Sequence, residues 1–137
     1  YSVRKYHPRA GYSSTVGTEA LNYKNNYRVI RFSDVLLMAS EALLRSEGSV
    51  GEAQDYYARV VKRAMGDDYK VPAVSLDNIY KERRYEFAME GIRYWDLVRT
   101  NQAKDFIKGW DDTKKYLPIP QSEIDKSDGH LVQNPHF

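Results

Sequence analysis

A chain of 137 residues has room for one substantial core, and 42% hydrophobic with 29% charged residues is the balance of an ordinary globular domain. A net charge of +2, with no Lys/Arg block and no RNA-binding aromatic motif, argues against a nucleic-acid partner. The lack of cysteine excludes disulfides, thiolate metal sites and cysteine nucleophiles, and no apolar stretch nears the roughly 20 residues that span a bilayer.

Residues 1–27 read as an irregular or extended arm, punctuated by Pro8, Gly11 and Gly17. Its opening, YSVRKYHPRAGY, is polar and aromatic and does not read as a signal peptide. The clearest helix is Arg31–Glu47, where Phe32, Val35, Leu36, Ala39, Ala42 and Leu43 recur at three- and four-residue steps. Ser33 and Asp34 offer its N-terminal cap region, and Gly48 ends it. A short link leads to a second helix, Glu52–Met65, with Ala53, Tyr56, Tyr57, Val60, Val61 and Ala64 available for packing. So short a connection makes the two helices antiparallel neighbours. Small residues at 39, 42, 53 and 64 predict close approach, in a hairpin similar to a tetratricopeptide unit without its full consensus.

Pro72 breaks the loop Asp67–Val74, and a third helix follows over Ser75–Glu90 with Ser75 as N-cap. Leu76, Ile79, Tyr80, Phe87 and Ala88 mark its apolar stripe, and Arg83 and Glu90 fall inside that stripe. A buried charge without a partner is expensive, so both should be paired. Gly91 is placed as the helix-ending C′ glycine, and a fourth helix runs over Ile92–Arg99 with a resumption through Lys108. Gly109–Lys115 is a loop carrying Trp110, Asp111 and Asp112. Leu117–Pro120 is extended, Ser122–Asp125 makes one helical turn, and the tail Asp128–Phe137 packs down through Leu131, Val132 and Phe137. The expected class is mainly α, with antiparallel, TPR-like helix pairs. It comprises an irregular arm (1–27), a helical core (28–108), and a loop with a packed extended tail (109–137).

Glu86 and Glu90 admit two readings. Paired carboxylates perform glycoside chemistry. Alternatively, with Arg83, Arg84, Arg93, Asp96 and Arg99 they form a charge lattice that locks a helix corner. Flanking guanidiniums lower a carboxyl pKa, whereas a general acid needs a raised one, so the lattice is preferred. His7, His130 and His136 form no helical metal pair, and DKSDGH (Asp125–His130) lacks the spacing and final Glu of a calcium loop. With no GxSxG, P-loop or GxGxxG either, no catalytic residue, metal or cofactor is assigned. Tyrosine supplies 12 of the aromatic residues, many in loops. Loop aromatics can stack on sugar rings, and Trp110 beside Asp111 and Asp112 is the first choice, with Tyr12 next. The alternative is that such rings cap the core with their polar ends at water.

Four ordered segments also carry a resemblance. KERRYEFAMEGIRYWDLVRT (Lys81–Thr100) resembles the ER-R-E-x-x-x-EG-x-R-x-x-D-L-x-R signature of SusD/RagB proteins. RVIRFSDVLLMASEALL, AQDYYARVVKRAMG, and KYLPIPQSEID with the terminal QNPHF resemble three more motifs of that family, in the right order. They span Arg28 to Phe137. The resemblance implies a surface-exposed lipoprotein of a Bacteroidetes-type outer membrane that binds a glycan or other nutrient without catalysis. It also implies delivery of the ligand to a SusC-like TonB-dependent transporter. Membrane attachment would run through a lipidated cysteine that this chain lacks, and the family is several times longer, so the chain is expected to be the C-terminal region of a longer protein, the alternative being a short, soluble relative. A glycan site drawing on both parts would be incomplete here. Arg83, Glu86, Glu90, Arg93, Asp96 and Arg99 would be scaffold. Two other classes stay open: a stand-alone TPR-like scaffold for a protein partner, marked by an apolar groove along Arg31–Met65, and an enzyme with an accessible carboxylate pair in a cleft.

Overall fold

The computed structural model describes residues 27–137, so Tyr12 and nearly all of the arm lie outside the described residues. Those residues form two compact units that divide between Glu90 and Gly91. Among them are six α-helices, one 3-10 turn and no strand, the mainly α architecture expected from the sequence.

The first unit is built on α1 (Phe32–Arg45), α2 (Val50–Met65) and α3 (Leu76–Glu86). The α1–α2 hairpin forms as expected, but α1 is rotated from its expected phase. Its buried face is Ser33, Leu36, Leu37, Ser40 and Glu41, while Ala42 and Phe32 are exposed and Val35 is nearly half so. The cause is polar burial. Ser40 is fully enclosed and its hydroxyl donates to the Ala53 carbonyl at 2.7 Å, so a serine occupies the close-approach position expected of Ala39 and Ala42. Leu37, Val60 and Ile79 fill the centre of the unit.

The caps also differ from expectation in part. The cap position of α1 is Arg31, extended and without a side-chain cap, and Ser33 and Asp34 lie in the first turn instead. Beyond Arg45, Glu47 takes a left-handed φ of 54° and the Gly48 N–H donates to the Leu43 carbonyl at 2.8 Å. That is the 6→1 bond of a Schellman ending, one residue earlier than a glycine at C′ would place it. Gly48 packs closely: a Cβ there would lie 3.0 Å from Leu43 Cδ2 and 3.3 Å from the Leu43 carbonyl, so the Leu43 side chain would have to shift. Ser49 caps α2 by accepting from Glu52 N, and Ser75 caps α3 by accepting from Asn78 N, the latter as expected. Gln54 ties the intervening loop to α2, accepting from Val74 N at 2.7 Å and donating to the Pro72 carbonyl at 3.2 Å.

The second unit carries α4 (Arg93–Arg99), α5 (Ala103–Phe106), a 3-10 turn (Asp112–Lys115) and α6 (Gln121–Asp125). Asn101, left-handed at φ 58°, separates α4 from α5, so no single helix continues to Lys108. The Arg93 guanidinium lies over the Phe106 ring at 5.0 Å, and Leu97 and Ala103 are buried. Two motifs that are separate in the sequence meet here. The Gln133 amide accepts from Ile119 N at 2.8 Å and donates to the Ile119 carbonyl at 2.9 Å, and Asn134 donates to the Leu117 carbonyl at 2.7 Å. The tail is thus held by side-chain amides. Its apolar residues are not packed down as expected: Val132 is 80% exposed, and Leu131 and Phe137 are also open.

The rotated phase of α1 gives a direct test. Ala42→Leu should change stability by no more than about 0.5 kcal/mol, because the residue faces outward. Ser40→Leu should cost about 1–3 kcal/mol through overpacking against α2. Urea melts of the two variants check the assignment, and a larger loss at Ala42 than at Ser40 would contradict it.

Candidate functional site: an arginine clamp and the pocket beside it

Arg31 makes five side-chain hydrogen bonds in the first unit. Its Nε donates to Glu90 Oε2 at 2.8 Å and its Nη2 to Glu90 Oε1 at 2.8 Å, a bidentate pair. Nη1 donates to Glu86 Oε1 at 2.7 Å and Ser33 Oγ at 2.8 Å, and Nη2 also reaches the Glu86 carbonyl at 2.9 Å. The guanidinium lies over the Phe87 ring at 4.7 Å. Arg63 donates from Nη2 to both Glu86 oxygens, at 2.9 and 2.6 Å. One turn along α1, Arg83 pairs with Asp34 at 2.6 Å.

This clamp explains where α3 stops. The expected helix runs to Glu90, but α3 ends at Glu86 with Phe87 as its C-cap, and Gly91 follows four residues later at φ 81°. The last carbonyls of a helix need donors, and Arg31 supplies one to Glu86 from 55 residues away. Glu90 therefore sits in a turn beyond the helix. It is not an i,i+4 partner of Glu86 on a helical face. The expectation that Arg83 and Glu90 are buried and paired does hold, at 5% and 7% exposure.

The electrostatics follow from the geometry. Burial pushes the Glu86 carboxyl up, but hydrogen bonds from Arg31 and Ser33 and the charges of Arg31 and Arg63 outweigh it. Its pKa lies below the ordinary 4.5. Glu82 moves the other way: burial and the neighbouring Glu86 charge raise it, and Arg63 offsets this only in part.

Beside the clamp is a pocket of about 340 Å³. Phe32, Leu36 and Val60 supply its apolar wall, and its charged lining consists of Arg31, Arg59 and Arg63, with no acidic residue. The Arg59 guanidinium lies over the Phe32 ring, 5.2 Å from its centre. Sequence reasoning missed this pocket, because its walls come from two helices. It also missed the role of Arg31, because its carboxylate partners lie 55 and 59 residues away.

Of the two residues selected from sequence, Trp110 lies in the second unit and Tyr12 outside the described residues. Trp110 is half-buried, set edge-on to Tyr94 at 6.1 Å, and its indole N–H donates to Asp112 at 3.3 Å. The Tyr94 hydroxyl in turn donates to the Lys114 carbonyl, which fixes the ring against the 3-10 turn. Among the described residues no group of three His, Cys, Asp or Glu is placed to hold a metal.

The model of the SusD family, SusD_RagB, matches residues 1–112. The chain belongs to the SusD family. Similar curated relatives include SusD-like protein P2 of Formosa agariphila, 25% identical over 98% of this chain and 30% of the relative. A SusD-like protein of Bacteroides ovatus is 34% identical over 57% of this chain and 14% of its own length. Among solved structures, surface glycan-binding protein A from Bacteroides thetaiotaomicron matches with a TM-score of 0.73 and 44% identity, covering 87% of this chain and 26% of that one. A SusD-like protein from Bacteroides fragilis matches the fold with a TM-score of 0.64 at 23% identity, over 85% of this chain and 27% of its own. The chain spans less than a third of the length of these relatives.

Two outcomes are expected of the clamp. Glu90→Ala leaves Arg31 short of its bidentate partner and should cost about 3–5 kcal/mol in a denaturant melt, with Arg83→Ala similar through Asp34. Stability unchanged in both would mean that the lattice is not structural.

The second outcome concerns pH. With its native pKa below 4.5, Glu86 contributes in full above that value, and the contribution is lost as pH falls through the lowered native pKa. Glu82, raised in the native state, has the opposite sign: its penalty is relieved on acidification. Between about pH 5 and pH 3, stability should therefore fall, less steeply in Glu86→Gln and more steeply in Glu82→Gln. Thermal melts across that range check the order of the three slopes.

Proposed function

We propose that the chain captures a glycan at the cell surface of an outer membrane, without cleaving it, and hands it to a SusC-like TonB-dependent transporter. The observation that carries this reading is 44% identity over 87% of the chain to a protein named for surface glycan binding. Membership of the SusD family points the same way. The clamp supports a non-catalytic role. A glycosidic general acid must hold a proton near neutrality, and Glu86, with its lowered pKa, is held ionised by Arg31 and Arg63. No helix among the described residues is long and apolar enough to cross a membrane. In this reading the whole protein is held at the membrane by a lipid anchor.

The proposed stacking residue is Trp110, with Tyr12 next. Tyr94 and Asp112 already hold the Trp110 ring, so a sugar packing on it loses little side-chain entropy. A second reading, a helical scaffold for a protein partner, is favoured by one observation: Phe32, Val35 and Met38 are exposed along α1.

Titration of the chain with neutral oligosaccharides, followed by NMR, tests the reading. The expected dissociation constant is in the millimolar range or weaker, equivalent to about 4 kcal/mol or less. Trp110→Ala should weaken it by about fivefold, or roughly 1 kcal/mol. New reducing ends that disappear in Glu86→Gln would replace the binding reading with an enzymatic one.

A further inference from the structure

The pocket between α1 and α2 has no role in the reading above. Its charged lining is entirely arginine, yet the three arginines are not equivalent. Arg31 has every donor engaged by Glu86, Glu90 and Ser33. Arg63 directs Nη2 alone at Glu86, which leaves its Nε and Nη1 outside that pair. Arg59 is exposed, and among the described residues no carboxylate lies within ion-pair distance of it. Its guanidinium carbon lies 5.2 Å from the centre of the Phe32 ring, a cation–π contact that holds the side chain beside the pocket. The planar fork of a guanidinium matches carboxylate or sulfate bidentately.

The rest of the pocket suits a ring carrying such a group. A volume of about 340 Å³ is at the small end of ligand sites and accommodates a sugar unit rather than a long chain. Leu36, Val60 and the exposed edge of Phe32 offer an apolar wall for the C–H face of a pyranose.

We infer that the α1–α2 pocket binds an anionic sugar unit, its carboxylate or sulfate taken by Arg59 and the open edge of Arg63 and its ring packed on Phe32, Leu36 and Val60. This rests on the glycan reading and adds a substrate class to it: acidic glycans. Its lining lies wholly in the first unit, and Trp110 belongs to the second.

The test is an NMR titration of the 137-residue chain with three probes: a trigalacturonate, its carboxyl-reduced neutral counterpart and a sulfated galactose trisaccharide. At least one acidic probe should bind about tenfold tighter than the neutral one, more weakly as salt is raised, and should shift the Arg59 Nε–H resonance. Arg59→Gln should remove that tenfold advantage and lower the melting temperature only slightly, since the residue is exposed and gives up one cation–π contact with Phe32. Arg59→Lys, which keeps the charge and loses the planar fork, should restore only part of it. Which acidic probe responds distinguishes carboxylate from sulfate. Equal binding of acidic and neutral probes, or acidic binding that depends on Trp110 and not on Arg59, would overturn this inference and leave the glycan reading in place. No binding of any probe would overturn this inference.

Discussion

Arginine has five N–H donors, and the five hydrogen bonds of Arg31 account for all of them. Those bonds reach a hydroxyl in the first turn of α1, a carboxylate and a carbonyl at the end of α3, and a carboxylate in the turn beyond. One side chain thereby sets where α1 begins, where α3 ends and how the chain leaves it. The Phe87 ring lies beneath both the Arg31 and Arg83 guanidiniums, at 4.7 and 5.1 Å. The cations thus add apolar packing as well as charge. Ionic groups buried this deeply bring a desolvation penalty, which is repaid only when every donor and acceptor is matched. Such a cluster specifies geometry more strongly than it adds net stability.

The saturation of Arg31 also shapes its surroundings. A guanidinium with no donor to spare cannot respond to an incoming anion, so the clamp can sit against an open pocket without being pulled apart. Recognition then falls to arginines that the clamp uses partly or not at all. Within one short stretch of α2, Arg63 belongs to both arrangements and Arg59 to the pocket alone. Structural and recognition roles are thus divided within a single turn, at positions i and i+4.

Much of the architecture was legible in the sequence, because helix periodicity and short links are local signals. The α1–α2 hairpin, the Ser75 cap and the α6 turn follow from spacing alone. The burial of Arg83 and Glu90 followed from their place inside an apolar stripe. The phase of α1 did not, because Ser33, Ser40 and Glu41 look like solvent-facing residues until their partners are known. Ser40 is buried only because the Ala53 carbonyl is within reach, and Glu41 because Arg45 and Tyr80 bond it. The end of α3 was hidden for the same reason, since its cap comes from 55 residues upstream. Of the site, the charge lattice was legible as a composition and its centre was not. Arg31 lies outside the signature segment that drew attention to it.

The amides that hold the C-terminal tail have a consequence for its chemical durability. Asparagine ages by attack of the following backbone nitrogen on its own side-chain carbonyl, and Asn134 is followed by Pro135, which has no N–H to deprotonate. Gln133, one methylene longer, cyclises less readily, and both ends of its amide are already engaged by Ile119. A hydrolysed Gln133 would place a carboxylate against the Ile119 carbonyl and lose the donor that faces it. By joining Gln to Asn-Pro, the tail gains a fastening that resists the slow deamidation to which exposed amide pairs are otherwise prone.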